Sequence, residues 1–395
     1  MNILILSFYY HPDLSAGSFR ATALVKELLA QMPPNGHVEV ITTMPNRYST
    51  FSALASPLEQ HTGLTIHRIA LPQHNSGMID QSKSFLVYFW KALHLVHGQQ
   101  YDIIFATSSR LMTAVLGAWV ALLKKKPLYL DIRDIFVDTI QDILPKKLVF
   151  LIKPFFSVLE RFAIGNACHI NLVSYGFKEY FTSRYPNHNF SFYTNGIDDE
   201  FIETAQKSNQ ILNKRSDLIQ VLYAGNLGEG QGLHNILPKL AKLMESKVQF
   251  TVIGDGGRKI ALQKALAEAR VNTVIFLPPI KRNKLIEAYL GCDVLFLHLN
   301  NHEAFRKVLP SKIFEYAAIG KPIWAGVGGY AAEFLRLEVA NVAIFPPCNA
   351  LKAEQIFHTL SLTNTPRPEF VAKYARYSIA KKMSSLLLSL SYQYR

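Results

Sequence analysis

The sequence predicts an α/β protein with two Rossmann-like halves joined by a polar linker. The first half opens on the apolar run 2–7, a loop, a helical segment and a second apolar run at 36–42, which is the strand–loop–helix–strand order of that fold. The same alternation restarts at Leu218, after the polar stretch 199–217. Hydrophobic residues make up 49% of the 395 residues and charged residues 18%, which fits a folded chain of two domains.

This pattern divides the chain into four segments. We expect a first domain over residues 1–198, the linker over 199–217 and a second domain over 218–369. Residues 370–395 end in a basic, leucine-rich stretch that predicts a C-terminal helix. The continuous apolar runs that begin both domains are typical of buried parallel strands.

The first loop of the chain connects its first strand to a helix. Ser18 belongs to the residue types that cap helices, so the sequence predicts a helix from Ser18 to about Ala30. Gly17 precedes this cap, and we expect it to hold the tight backbone of the loop. A plain turn between a strand and a helix explains the same residues equally well.

Three charged residues follow the apolar strand 128–130, namely Asp131, Arg133 and Asp134. Ligands bind at the carboxyl ends of strands in open α/β sheets, and a charge at such an end is costly unless it is paired or used. Strand alternation puts Asp131 and Arg133 on one face, which predicts that Asp131 orients Arg133 and leaves guanidinium N–H groups for a phosphate or sugar oxygen. The alternative is an ion pair that only ties down the turn.

Two segments of the first half, 80–97 and 146–163, combine lysines with aromatic residues. The first contains Lys83, Phe85, Tyr88, Phe89, Trp90 and Lys91, and the second contains Lys146, Lys147, Phe150, Lys153, Phe155 and Phe156. Basic amphipathic helices with aromatic residues can lie in a bilayer interface, and the net charge of +13 favours an anionic partner. We therefore expect an anionic membrane surface as a partner; the alternative is core packing with snorkelling lysines.

Other partners and compartments are disfavoured by the sequence. It has no long Lys/Arg run and no zinc-finger, RRM or KH motif, so nucleic acid is not expected as a partner. No uncharged apolar run of about 18 residues predicts a spanning helix. The three cysteines are widely spaced, which favours a reducing compartment and free thiols: Cys168, Cys292 and Cys348. We expect a cytoplasmic protein that lies peripherally on the inner face of the cytoplasmic membrane.

Glycines cluster after the first strand of the second half. Gly225 and Gly228 lie in a loop between a strand and a helix, where backbone N–H groups can approach a phosphate closely. Asn226 lies in the same loop, and a second glycine turn begins at Gly254. His298 ends a later strand, and we expect it in the core.

The segment 310–325 predicts a short helix followed by a strand. Ser311 is a good N-cap and Gly320 a good C-cap. Lys312 adds a full charge to the partial positive charge of the helix start, which suits a phosphate. Glu315 lies one turn further, where a carboxylate can accept hydroxyl protons from a ribose or a sugar. An ordinary surface helix is the alternative.

This segment resembles the nucleotide-sugar helix of GT-B glycosyltransferases, especially the retaining family 4. The family pattern is Glu, seven residues, Glu, small residues and Gly-x-Pro; Glu315 matches the second Glu, and Lys307 stands in place of the first. In the glycine-rich loop, Asn226 and Gln231 stand where the family usually has Arg and Lys. The phrase at 131–134 resembles transferases of bacterial surface polysaccharides, of the O-antigen, capsule and N-acetylfucosamine type.

The resemblance implies two facing Rossmann-like domains and a C-terminal helix that packs back on the first. It implies transfer of a sugar from a nucleotide diphosphate sugar, most commonly UDP-linked, to a lipid-linked saccharide, with retention of configuration. A metal ion is not expected, because no Asp-x-Asp motif ends a strand. The expected catalytic residues are Glu315, Arg133 and Asp131. The expected donor-binding residues are Gly17, Gly225, Asn226, Gly228, Gly254, Ser311 and Lys312.

Two other functions remain open. A sugar-nucleotide epimerase of the same fold would need acid and base residues clustered around a sugar carbon, and the sequence shows no such set. A non-catalytic subunit that binds a nucleotide sugar or a partner is favoured by the departures at Lys307, Asn226 and Gln231. Because the departures affect binding residues as well as the catalytic motif, sugar transfer must be tested directly.

Overall fold

The computed structural model describes residues 1–46, 54–72, 78–108, 111–138, 146–207 and 217–394. The chain divides into two compact units. Unit 1 contains Met1–Asn195 and Arg376–Arg395, and unit 2 contains Gly196–Ala375. The C-terminal segment therefore returns to unit 1 after unit 2 has been completed.

Unit 1 contains an eight-stranded sheet. Its strands are β1 Asn2–Leu6, β2 His37–Thr43, β3 Leu58–His61, β4 Leu64–Ile69, β5 Ile103–Thr107, β6 Leu128–Ile132, β7 His169–Leu172 and β8 Phe190–Ser191. The order is β3-β4-β2-β1-β5-β6-β7-β8, and every pair is parallel except β3 with β4. The antiparallel β3–β4 hairpin at the sheet edge is an addition to the predicted strands.

Helices cover this sheet. Those of unit 1 are α1 Ala16–Gln31, α2 Met78–Val96, α3 Leu111–Lys124, α4 Lys146–Gly165, α5 Lys178–Arg184 and, from the C-terminal segment, Arg376–Gln393, named α14 below. Helix α14 packs on α1, and Gln31 is bonded to the Lys381 carbonyl oxygen and the Ser385 hydroxyl. Met383 and Leu387 join the apolar cluster that includes Ile3. The last helix therefore completes the core of unit 1.

The start of α1 differs from the prediction. Ser15, not Ser18, is the N-cap, and its hydroxyl oxygen accepts the Ser18 N–H at 3.1 Å. Gly17 is consequently the second residue of the helix and is buried. The prediction that Gly17 holds a tight loop is wrong, because the helix begins three residues earlier than a cap at Ser18 would place it.

Unit 2 contains a six-stranded parallel sheet. Its strands are β9 Ile219–Ala224, β10 Val248–Ile253, β11 Val274–Leu277, β12 Val294–His298, β13 Ile323–Gly326 and β14 Val342–Phe345. The order β11-β10-β9-β12-β13-β14 is the 3-2-1-4-5-6 order of a dinucleotide-binding fold. Its strand order reverses at β9, which pairs with β10 on one side and β12 on the other.

The helices of unit 2 extend into both predicted flanking segments. They are α6 Asp199–Lys207, α7 Leu233–Leu243, α8 Lys259–Glu268, α9 Arg282–Gly291, α10 Lys312–Ile319, α11 Gly329–Glu338, α12 Ala350–Phe357 and α13 Pro368–Tyr374. The predicted linker thus begins with a helix, because Phe201 is fully buried and stacks 6.0 Å from the Tyr289 ring. The rest of that linker, 208–216, lies outside the described residues. None of the described helices combines the length and apolar character needed to cross a bilayer.

Candidate functional site

The carboxyl edge of the unit 2 sheet contains the candidate donor site. At the point where the strand order reverses, the chain leaves β9 into the glycine-rich loop 225–232 and leaves β12 towards Asn300. Ligands of open α/β sheets bind at this position, because the loops of neighbouring strands diverge there and leave a crevice.

The two glycine turns at this edge are bonded to each other. Gly225 N–H donates to the Ile253 carbonyl oxygen, and Leu227 N–H to the Asp255 carbonyl oxygen, both at 2.9 Å. A Cβ added to Gly254, whose φ is +150°, would lie 1.9 Å from the Gly225 carbonyl oxygen. Gly254 is therefore required for the contact between the two turns.

The amides of Gly225 and Gly228 are not free for a phosphate, contrary to the prediction. Gly225 N–H is used at the end of β10, and Gly228 N–H donates to Gln231 Oε1 at 3.2 Å. Asn226 Nδ2 donates to the same oxygen at 3.0 Å. The Gln231 carboxamide thus braces the loop from within, at the position where the resembled family has a lysine.

His298 at the end of β12 and Asn300 just after it hold the glycine-rich loop from its other side. His298 Nδ1 donates to the Gln231 carbonyl oxygen at 2.7 Å, and its Nε2 accepts the Cys348 N–H at 2.9 Å. These partners define a neutral imidazole, whose pKa is lowered to about 4 by burial. Asn300 Nδ2 donates to the carbonyl oxygen of Glu229 at 3.0 Å and to its Oε1 at 3.1 Å. His298 is buried as predicted. Asn300 was not predicted, because no motif or spacing in the sequence singles it out.

Lys312, Glu315 and Tyr289 form a bonded triad. Lys312 Nζ donates to Glu315 Oε2 at 2.8 Å and to the Tyr289 hydroxyl at 3.1 Å. The Tyr289 hydroxyl donates to the same Glu315 oxygen at 3.2 Å. Within the described ranges no donor reaches Glu315 Oε1, so the carboxylate keeps one oxygen that can accept a hydroxyl group. A cation and an acceptor thus lie one helical turn apart at the start of α10.

The two ends of α10 compare differently with the prediction. Ser311 is the N-cap residue, as predicted, but it has helical dihedrals, φ −60° and ψ −26°, and its side chain makes no capping hydrogen bond. Gly320 closes the helix with φ +80°, which confirms the predicted C-cap. Lys307, in the position of the family's first Glu, follows the short turn Glu303–Arg306 and is half-buried.

Helix α10 is anchored to the sheet end by a tyrosine one turn from Lys312. The Ala224 N–H at the end of β9 donates to the Tyr316 hydroxyl oxygen at 3.2 Å. This bond holds the start of α10 next to the point where β9 enters the glycine-rich loop. The loop and the Lys312–Glu315 pair consequently belong to one site within unit 2.

Asp131 in unit 1 has a different partner from the predicted one. Arg20 on α1 donates through Nε and Nη2 to the two Asp131 oxygens, each at 2.9 Å. Asn171 Nδ2 adds a bond of 2.8 Å and Thr107 Oγ1 one of 3.2 Å. Burial alone would raise the pKa of Asp131, but the Arg20 guanidinium holds that pKa below its usual value. Asp131 therefore joins α1 to three strands, and the prediction that it orients Arg133 is wrong, because Arg20, Asn171 and Thr107 take its hydrogen bonds. Its role in catalysis stays a prediction.

The lysine- and aromatic-rich helices of unit 1 are partly core and partly surface. Phe85 and Tyr88 are buried, as the core-packing alternative requires. On the outer side of α2, Trp90 is 67% exposed, and on α4 Phe150 is 81% exposed. The side chains of Lys146 and Lys147 lie outside the described residues. Only part of each predicted amphipathic surface is thus available to a partner.

Comparisons with known proteins show a family to which most of unit 2 is similar. Residues 204–377 match the family model of the glycosyl transferases group 1. A relative, the putative colanic acid biosynthesis glycosyl transferase WcaI of Escherichia coli (strain K12), is 31% identical over 100 residues. That match spans 25% of this chain and only 24% of the relative's length. The family match therefore covers the part of the chain that contains Lys312 and Glu315.

Solved structures match over the whole chain. Sucrose-phosphate synthase of Thermosynechococcus elongatus has a TM-score of 0.75 at 15% identity, with 99% of both chains covered. HepE of Anabaena, solved in complex with UDP-glucose, has a TM-score of 0.61 at 17% identity, with 100% of this chain and 98% of HepE covered. The predicted GT-B fold is confirmed by these matches. Residues 204–377 are thus similar to the glycosyl transferases group 1, in a chain with the GT-B fold.

Proposed function

We propose that this protein transfers a sugar from a nucleotide diphosphate sugar to a lipid-linked saccharide in the synthesis of a bacterial surface polysaccharide. The observation that carries the proposal is the Lys312–Glu315 pair at the start of α10, bonded beside the point where the unit 2 sheet reverses its order. In this proposal the donor is UDP-linked, the anomeric configuration is retained and no metal ion takes part. Retention and the acceptor come from the family 4 resemblance, and polysaccharide synthesis also from the similarity to WcaI.

The proposed role of the pair follows from its chemistry. Lys312 supplies a positive charge at a helix start, where the leaving diphosphate gains negative charge as the sugar bond breaks. The Oε1 atom of Glu315 accepts a hydroxyl group of the ribose or the sugar. UDP-glucose bound to HepE is a precedent for such a donor on this fold. Gln231 is used in hydrogen bonds within the glycine-rich loop, so in this proposal Lys312 makes most of the contact with the diphosphate.

Replacing Lys312 by alanine is expected to weaken the binding of UDP by about 1.5–3 kcal/mol, the usual size of a charge-assisted contact. A screen of nucleotide sugars by thermal shift first selects the donor, since a ligand of the native state raises its melting temperature. Isothermal titration with UDP then compares wild type with Lys312→Ala. The matched control is Lys352→Ala, because Lys352 is an exposed lysine in the first turn of α12 in the same unit. Equal affinities of all three proteins for UDP would show that Lys312 does not contact the diphosphate.

Transfer of a radiolabelled sugar to lipid-linked acceptors separates the proposal from its alternatives. Glycosylated lipid that also forms in the presence of a chelator supports a metal-independent transferase. A protein that binds the nucleotide sugar but transfers none is the non-catalytic subunit. Conversion of the nucleotide sugar without any acceptor would instead indicate an epimerase. Anomeric analysis of the product by NMR tests retention.

A contiguous surface of unit 1 supports an anionic membrane as the second partner. Helix α3 packs against both α2 and α4, and the Trp119 and Phe162 rings lie 6.3 Å apart. Its outer residues add apolar area that the sequence analysis did not include: Trp119, Leu122 and Leu123, each at least 46% exposed. Lys124 ends this helix, and Lys125 and Lys126 follow it directly. Aromatic and apolar side chains bordered by lysines are typical of surfaces that enter a bilayer interface.

Vesicles are expected to bind this surface by charge and by apolar insertion. Vesicles with phosphatidylglycerol should sediment the protein at low salt, and high salt should release part of it. The double substitution Trp119→Ser and Leu123→Ser should weaken sedimentation several-fold, because it removes the apolar side chains that would be buried in the bilayer interface on binding. Ile260→Ser, at an 81% exposed position of unit 2, is the control. Equal binding to neutral and anionic vesicles would contradict the electrostatic part of the proposal.

A further inference from the structure

A cavity of about 290 Å³ lies at the amino edge of the unit 1 sheet, opposite to the edge where open α/β sheets usually bind their ligands. Its wall is formed by residues of β1, β2 and β4, by Gln60 on β3 and by the loop that precedes β5. Strands of five to seven residues, at about 3.3 Å per residue, separate the two edges by roughly 15–20 Å. The cavity is therefore separate from the carboxyl edge of the same sheet.

One wall of the cavity is a polar face shared by β2 and β4. Strand alternation puts His37 and Glu39 on one face of β2, and the register pairs Glu39 with Thr65 of β4. His37 Nε2 lies 3.1 Å from Thr65 Oγ1. His67 follows Thr65 by two residues on the same face, and its Nε2 lies 3.3 Å from Glu39 Oε1. Two imidazoles, a hydroxyl and a carboxylate are thus held side by side.

Tyr101, in the loop before β5, fixes the carboxylate of Glu39 from the other side. Its hydroxyl donates to Glu39 Oε2 at 2.8 Å. Burial, followed by the Glu39 charge, raises the pKa of Tyr101, so the hydroxyl keeps the proton that it donates. With one side-chain partner at each oxygen among the described residues, Glu39 keeps an acceptor position on both oxygens. Its orientation is therefore fixed while it can still accept from a ligand.

Three exposed glutamines line the same cavity: Gln60, Gln99 and Gln100. Each carboxamide offers two N–H donors and a carbonyl acceptor. Their side chains make no hydrogen bond to another residue of the described ranges. The cavity thus presents both donors and acceptors that a ligand can use in exchange for water.

The lining residues favour a neutral ligand that is rich in hydroxyl groups. All of them lie in the described part of the chain, and none is a lysine or an arginine that could pair with a phosphate. The described residues also contain no group of three side chains able to hold a metal ion. Buried Ile3 and the Tyr101 ring add an apolar surface for the C–H face of a sugar ring. The volume is at the lower end of the roughly 300–1,000 Å³ of pockets for drug-sized ligands, which suits one or two sugar rings.

We propose that this cavity binds a sugar unit of a saccharide, with Glu39 accepting neighbouring hydroxyl groups and the glutamines bonding to the others. None of the lining residues belongs to the candidate donor site, so this is a separate site. Two sources share the chemistry: the saccharide that the protein itself extends, and a free saccharide. The first source rests on the proposed function, whereas the binding of a sugar unit does not.

Saturation-transfer-difference NMR with D-glucose, D-galactose, D-mannose and N-acetyl-D-glucosamine tests the site directly. We expect at least one of these sugars to bind wild type and to stay bound in excess UDP. The dissociation constant of that sugar should rise at least tenfold in Glu39→Gln, which keeps the shape but loses the charged acceptor. It should rise several-fold in the double variant Gln60→Ala and Gln100→Ala. Gln263→Ala, at an exposed glutamine of α8 in unit 2, is the matched control and should bind like wild type.

Three results overturn the inference: no signal with any of the four sugars, a signal that UDP abolishes, or a dissociation constant that neither variant changes. A melting temperature near that of wild type shows that a loss of binding is local. The double variant keeps the test informative if Glu39→Gln does not fold, because both of its positions are exposed. None of these measurements needs sugar transfer, so they remain valid if the proposed function fails.

Steady-state kinetics with lipid-linked acceptors of different length assign the source of the saccharide. If the cavity holds the saccharide that is being extended, Glu39→Gln raises the KM of an acceptor with several sugar units at least fivefold. The kcat and the KM of an acceptor with one sugar unit then stay unchanged. If both KM values are unchanged while the affinity for the free sugar falls, the ligand is a separate saccharide. Either result, together with the loss of sugar binding, supports the site.

Discussion

Replacing Arg20 by alanine is expected to lower the free energy of unfolding by about 3–5 kcal/mol, because it leaves the Asp131 charge buried without its partner. Asp131 is completely buried, and Arg20 donates to both of its oxygens. The same guanidinium also donates to the carbonyl oxygens of Tyr193 and Thr194, at 2.8 Å and 2.6 Å. Urea denaturation of wild type and variant measures the difference.

A surface ion pair and a pH series are the controls for this result. Arg258, whose side chain is 51% exposed, pairs with Glu229 on the surface. Arg258→Ala should lower the free energy of unfolding by no more than about 1 kcal/mol. The pKa of Asp131 is lowered in the folded state. Its contribution to the free energy of unfolding is therefore fully present above the ordinary pKa of aspartate, about 3.9, and is lost as the pH falls through the pKa that Asp131 has in the folded protein. Arg20→Ala should largely lack this acid-dependent loss. A cost below about 1 kcal/mol for Arg20→Ala would show that the pair contributes little to stability.

The substitution Glu315→Gln is expected to lower kcat/KM for the nucleotide sugar at least about a hundredfold, which is roughly 2.7 kcal/mol in the barrier. The carboxamide has nearly the same shape, so the contacts with Lys312 and Tyr289 remain possible. It removes the negative charge that accepts substrate hydroxyl groups, and a hydrogen bond to a charged acceptor contributes about 1.5–3 kcal/mol. Two such bonds are sufficient for the expected loss. Steady-state kinetics with the donor selected by thermal shift is the measurement.

A second glutamate of unit 2 controls for the loss of a charge. Glu338 on α11 accepts from Lys373 at 2.7 Å, and Glu338→Gln should leave kcat/KM within about twofold, because this pair lies in a more exposed place. If Glu315→Gln lowers the melting temperature but transfers sugar at the wild-type rate, the triad is a structural ion pair. The alternative of a surface helix is already excluded, because Glu315 is only 5% exposed, so such a result would mean that the motif is purely structural.

Many elements of the fold were predictable because each depends on a local pattern. Continuous apolar runs predicted the buried strands β1 and β9, and the alternation of strands and helices predicted the two α/β halves. The β3–β4 hairpin was not predicted, because its short strands have mostly exposed or half-buried residues on β3 and give only a weak alternation. The start of α1 was placed at Ser18 because serine caps helices wherever it lies, and Ser15 is the same residue type three positions earlier.

The candidate site was predictable in part. The placement of Lys312 in the first turn of a helix and the glycine-rich loop after a strand followed from residue type and spacing. The partners of these residues did not follow, because Tyr289 lies 23 residues before Lys312 and Asn300 lies 71 residues after Glu229. Sequence spacing carries no information on which loop ends meet across a sheet; that depends on the strand order.

The sequence by itself determined the α/β class, the two Rossmann-like halves and the chemical types of the residues at the candidate donor site. Only the tertiary structure decided which charges are neutralised and which remain available. Asp131 and Arg133 are two positions apart, yet Asp131 pairs with Arg20, 111 residues away, because the fold brings the guanidinium of α1 to the buried carboxylate of β6. A buried charge is satisfied by whichever partner the fold places within hydrogen-bond distance, and that distance is set by packing rather than by position along the chain.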